Sequence, residues 1–107
     1  MNLLNMSEIE SLYSPGIGRH WFDPDTLRFF RGRLAQIGYQ DTQGRVFFVS
    51  SEQNHGMGGP YPRLYTVRML TGPKGDIKTV GAFQAYRTAA TAARYAKGYA
   101  SGNIALP

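Results

Sequence analysis

The sequence predicts an α+β fold: a helix, a three- to four-stranded antiparallel sheet and an alanine-rich C-terminal helix, preceded by a short extra N-terminal helix. Three observations carry this. Two segments, 24–35 and the stretch from Thr88 onward, combine helical spacing or composition with start signals. Between them lie short runs dense in β-branched and aromatic residues, separated by glycine- and proline-bearing turns. The chain has 107 residues, of which 42% are hydrophobic and 13% aromatic, enough for one core and too few for two.

Ser7-Glu8-Ile9-Glu10 has the capping-box pattern, in which a hydroxyl and the carboxylate three residues on satisfy helical N–H groups reciprocally. Ile9, Leu12 and Tyr13 supply an apolar side, and Ser14-Pro15-Gly16 ends the segment. Gly16-Ile17-Gly18 reads as a joint. Residues 1–18 are therefore expected to form a short helix and linker, and residues 19–107 the single α+β domain.

In Asp23-Pro24-Asp25-Thr26, Asp23 suits the cap, Pro24 the first helical position and Asp25 the positive end of the dipole. Leu27, Phe30 and Leu34 follow at helical spacing, which predicts a helix over 24–35 with Arg28 and Arg31 on its exposed side and Arg33 at the flank.

Strands are expected at 46–49, 64–69 and 77–83, with a fourth near 37–41 returning through Asp41-Thr42-Gln43-Gly44, where Gly44 tolerates positive φ. Residues 53–62, broken by Gly56, Gly58, Gly59, Pro60 and Pro62, read as a loop, and 71–76 as a turn. In Tyr65-Thr66-Val67-Arg68-Met69, period two places Tyr65, Val67 and Met69 on the core face and Thr66 and Arg68 outward. Thr88 caps the final helix. Ala89, Ala92, Ala93 and Ala96 form a small-residue stripe for close approach to the sheet, Arg94 and Lys97 face solvent, and the tail after Gly98 is expected to fray.

Composition narrows the function classes. The absence of cysteine excludes disulfides, thiolate metal sites and a cysteine nucleophile, and it suits a reducing compartment. The N-terminus lacks a basic n-region with an apolar run, and no stretch approaches the ~18 apolar residues of a membrane span, so a cytoplasmic protein without membrane attachment is expected. Twelve Lys and Arg against seven Asp and Glu give a formal charge of +5, which favours polyanionic partners.

Neither His20 nor His55 has a second ligand at metal spacing, so no metal is expected. Ser50, Ser51 and His55 lack the Gly-x-Ser-x-Gly context of a hydrolase, and the carboxylate pairs Glu8/Glu10 and Asp23/Asp25 sit where helix starts require them. The chain is read as a non-enzyme without catalytic residues or cofactor.

The order helix, three antiparallel strands, alanine-rich helix resembles the double-stranded-RNA-binding domain. The likeness is carried by Gly59-Pro60-Tyr61-Pro62-Arg63-Leu64-Tyr65, similar to that family's loop and second-strand start, by Tyr65-Thr66-Val67-Arg68-Met69, and by Thr88 through Ala96; it spans about residues 24–98. Pro62 stands where the family has its minor-groove histidine, and Ala89, Ala90 and Ala93 where it has phosphate-gripping lysines. A second resemblance is to small proteins carried by phages, plasmids and integrated elements, through residues 26–33, 47–53, 65–68 and 80–84. It implies an accessory role, including interference with host defence.

These readings converge on a non-enzymatic module of a mobile element that binds nucleic acid or a nucleoprotein complex through Arg28, Arg31, Arg33, Arg63, Arg68, Arg94 and Lys97, with Met57 and Tyr61 as loop recognition residues. The alternative is an inhibitor directed at a host defence protein, such as an anti-CRISPR, in which the same arginines pair with carboxylates.

Overall fold

Strand β3, Val46–Gln53, is buried along nearly its whole length, which requires cover on both faces of the sheet it belongs to. The computed structural model describes residues 1–13, 33–53, 57–59 and 61–107. They form strands β1 (Asn2–Asn5), β2 (Ile37–Gln40), β3, β4 (Arg63–Leu70) and β5 (Ile77–Val80), with helices α1 (Met6–Leu12) and α2 (Ala89–Ser101). The strands make one antiparallel sheet in the order β1-β2-β3-β4-β5.

Alternation along β3 divides the core in two. Phe47 and Val49, with Tyr39, Val67 and Val80, meet Ala92, Ala93, Ala96, Tyr99 and Ala100 of α2. The alanine stripe lets the helix lie close to the strands, as its sequence predicts. Val46 and Phe48 project from the other face, where Leu70 and Ile77 join them against Ile9 and Tyr13. Gly38 permits this second contact: a Cβ there would lie 2.7 Å from both Ile9 Cδ1 and Val46 Cγ1.

The β2–β3 hairpin turns through 41–45. Asp41 accepts the N–H groups of Gln43 and Arg45 at 2.9 Å each, its carboxylate takes Arg45 Nε at 2.6 Å, and Gly44 adopts φ 83°. Burial works against ionisation of Asp41, yet the hydrogen bonds and charge of Arg45, with the Gln43 N–H, outweigh it and hold the carboxyl below its ordinary range.

Several expectations are corrected at their edges. β1, an edge strand rich in Asn and Leu, is paired with β2, and the N-terminal capping box is built on Asn5 and Glu8 rather than begun at Ser7. Asn5 Oδ1 accepts the Glu8 N–H at 2.9 Å, and Glu8 Oε1 accepts the Asn5 N–H at 3.0 Å. Ser7 lies inside the helix.

The predicted helix over 24–35 falls mostly outside the described residues; its end, Leu34–Gln36, is a 3₁₀ turn. β3 runs on to Gln53, whereas β5 stops at Val80 because Gly81 turns the chain at φ 76°. The tail does not fray at Gly98. α2 continues to Ser101, Gly102 caps it at φ 80°, and Ile104 returns, its N–H donating to the Gly98 carbonyl at 3.1 Å. No helix among the described residues is long and apolar enough to cross a membrane.

Candidate functional site

Thr66 and Arg68 point away from α2, as alternation predicts, but not into solvent: Thr66 is fully buried and Arg68 is 9% exposed. Cross-strand neighbours explain this, since Phe48 pairs with Arg68 and Ser50 with Thr66 on a face that is itself covered. Burying a guanidinium requires a charge partner and filled donors. Glu52 supplies the charge, accepting Arg68 Nη2 at 2.9 Å. Arg68 Nε donates to Ser50 Oγ at 2.8 Å, and Nη1 donates to Thr79 Oγ1.

The carboxylate is equally occupied. Glu52 Oε1 also accepts Ser50 Oγ at 2.6 Å, and Oε2 accepts Thr66 Oγ1 at 3.1 Å. Among the described residues no buried side-chain nitrogen or oxygen lacks a partner. Ser50, which donates to Glu52, is fully buried. This network organises the sheet.

The segment after β5 extends that network to the surface. Register pairs Val67 with Val80, so Tyr65 would meet residue 82; it meets Tyr86 instead, through bonds of 2.8 and 3.0 Å. The intervening chain bulges. Its Gln84, at φ 57°, donates its N–H to Thr66 Oγ1 at 2.8 Å, and the Phe83 ring lies over the Arg68 guanidinium, 5.4 Å from Cζ to centroid. Phe83 stays 57% exposed.

Beside the bulge is an open groove of about 430 Å³ lined by Pro62, Leu64, Gln84, Ala85 and Arg87. Tyr61 precedes its wall. The Tyr61 hydroxyl donates to the Met57 carbonyl at 2.7 Å, and its own carbonyl accepts Gln53 Nε2 at 2.8 Å. Met57 is 98% and Tyr61 37% exposed, so both loop residues singled out in the sequence are at the surface. The rings of Tyr86 and Tyr95 lie 5.0 Å apart, tilted by 37°. Burial, with a hydrogen bond to Tyr99, pushes the Tyr86 hydroxyl up to about 12.

The seven basic residues read from sequence therefore separate. Arg94 and Lys97 are exposed on α2, and Arg33 is exposed before the 3₁₀ turn. Arg63 is half-buried, Nη1 donating to Ser51 Oγ at 3.1 Å, and Arg68 is committed to Glu52. Arg28 and Arg31 lie outside the described residues, as do His20 and His55. Among the described residues no group of three or more His, Asp or Glu side chains is placed to hold a metal.

Sequence reasoning missed Arg87, Phe83 and the Ser50-Glu52-Thr66-Arg68-Thr79 network. The network had a signal, because Ser-x-Glu and Thr-x-Arg at period two in neighbouring strands bring opposite charges to one face. So did Arg87: from Ile77 to the C-terminus there are four Lys or Arg and no Asp or Glu. No curated protein and no solved structure matches the chain. A family description does match, over residues 5–97, and the chain belongs to that family, DUF7447, a family of unknown function.

Proposed function

We propose that this protein is a non-enzymatic binding module that engages nucleic acid or a nucleoprotein complex through the solvent face of α2. One observation carries the reading: Arg87, Arg94 and Lys97 are exposed on this helix and its approach, in a stretch without an acidic residue. Two of the other cations are held in ion pairs, Arg45 by Asp41 and Arg68 by Glu52. The exposed Glu8 and Glu10 belong to α1, across the sheet from α2. The two helices thus differ in charge, α1 carrying Glu8 and Glu10 and α2 carrying Arg94 and Lys97, and a polyanion is favoured at α2.

The likeness to double-stranded-RNA-binding domains supports a nucleic-acid-binding fold, and an accessory role in a phage or mobile element within a host cytoplasm fits a module of this size. The alanines at 89, 90 and 93 favour a second reading, an inhibitor docking on an acidic surface of a host defence protein such as a CRISPR component.

Fluorescence anisotropy against duplex RNA, duplex DNA and single strands across a salt series separates the two. Phosphate contact by three cations on a duplex gives a log–log slope of about −2 to −3. Absence of binding at about 50 mM salt, where phosphate contacts are strong, would assign the surface to a protein partner.

A further inference from the structure

We propose that the groove between Pro62-Leu64 and the bulge after β5 accepts an unpaired base of a single-stranded nucleic acid, whose phosphates pass over Arg87 toward Arg94. This rests on the nucleic-acid reading above and names the strand form that the site selects.

Phe83 is 57% exposed. An exposed aromatic ring is ordinarily mobile, but this one is set from below: its ring lies over a guanidinium that Glu52, Ser50 and Thr79 hold. Gln84, the next residue, is pinned to Thr66. The ring is thus presented as a fixed platform, and stacking a base on it orders little further chain.

Tyr61 is held in a comparable way, its hydroxyl on Met57 and its carbonyl on Gln53. Pro62 and Gln84, the chain neighbours of these two aromatics, both line the groove, whose volume of about 430 Å³ lies within the range of small-ligand sites. Arg87 lines the same groove and supplies it with a cation for a phosphate.

Continuity with α2 supports a strand rather than an isolated nucleotide. Arg87 directly precedes the Thr88 cap, and Arg94 lies on the helix that this cap starts, about 8 Å along the axis from Ala89. A duplex keeps its base faces stacked internally and offers nothing to Phe83 or Tyr61, whereas an unpaired strand offers both base faces and phosphates. An acidic peptide would use Arg87 and Arg94 but not the ring faces.

The test is anisotropy of labelled short oligothymidylate, oligouridylate and blunt duplex DNA with the full chain and four variants, with poly-glutamate as competitor. Both oligonucleotides are expected to bind more tightly than the duplex. Phe83→Leu, which keeps apolar cover over Arg68, is expected to weaken single-strand binding about tenfold and leave duplex binding unchanged, while Phe83→Tyr retains both. Arg87→Glu, on an exposed side chain, is expected to weaken single-strand binding more than duplex binding.

Equal losses on both forms, or no loss on either, would overturn the groove while leaving the α2 surface standing, as would displacement by poly-glutamate as effective as by oligonucleotide. If the paired change Arg94→Glu with Lys97→Glu lowers duplex binding while the groove variants change nothing, the α2 reading alone survives. Binding to no nucleic acid would overturn both.

Discussion

Arg68 is a cation only 9% exposed, its charge met by the carboxylate of Glu52. Alternation in Tyr65-Thr66-Val67-Arg68-Met69 correctly separates two faces, but period two says nothing about whether the second face is covered. Here the Phe83 ring lies over the guanidinium, and Arg68 becomes a buried ion rather than a surface contact. Removing one partner strands the other. Glu52→Gln is expected to cost about 3–5 kcal/mol in urea unfolding, and Glu52→Leu combined with Arg68→Met much less than the single change. An additive cost for the pair would show that the two side chains act independently. Gly38 is a second single-residue constraint that the sequence does not disclose, because its reason is the approach of Ile9 from another element. Gly38→Ala forces a methyl against Ile9 and Val46 and is expected to destabilise by about 1–3 kcal/mol, measured in the same way.

At the scale of elements, what was legible depended on local chemistry. Thr88 was readable as a cap because its side chain acts three residues away, accepting the Thr91 N–H at 3.2 Å; Thr88→Ala is expected to cost about 1 kcal/mol. The hairpin at 41–45 was readable for the same reason. β1 was not, since four residues of Asn and Leu become a strand only through pairing with β2, more than thirty positions away. The bulge was hidden differently: residues 77–83 carry continuous β-forming composition, and the break comes from Gly81 and from Gln84 in left-handed conformation. Gln84→Gly is expected to keep or slightly raise the thermal midpoint, while Gln84→Val lowers it by the equivalent of about 1–2 kcal/mol. Equal midpoints for the two would mean that the bulge does not require this backbone. The tail misled because Gly98 has the residue type of a helix end, whereas its role is to leave space for Ile104: a Cβ there would lie 2.3 Å from Ile104 Cδ1.

For the whole molecule, titration and charge distribution set the expected behaviour. Asp41 ionises more readily folded than unfolded, so its contribution is present above the ordinary value of 3.8 and is lost as pH falls through its lower folded value; Asp41→Asn should remove that part of the acid dependence. Tyr86 has the opposite sense. Its folded value of about 12 lies above the ordinary 10, so stability is constant below pH 10 and declines as pH rises between the two, a decline that Tyr86→Phe is expected to reduce. The net charge was plain from composition, but its placement was not, because composition cannot show that Arg45 and Arg68 are held in ion pairs while Arg87, Arg94 and Lys97 remain at the surface. The functional reading rests on the exposed cations of α2 and its approach. The most direct test is the salt dependence of nucleic-acid binding by the unaltered chain and by the Arg94→Glu, Lys97→Glu double variant. The account expects affinity to fall and the magnitude of the log–log slope to drop by about two. Unchanged affinity and slope would contradict it and remove α2 as the contact surface.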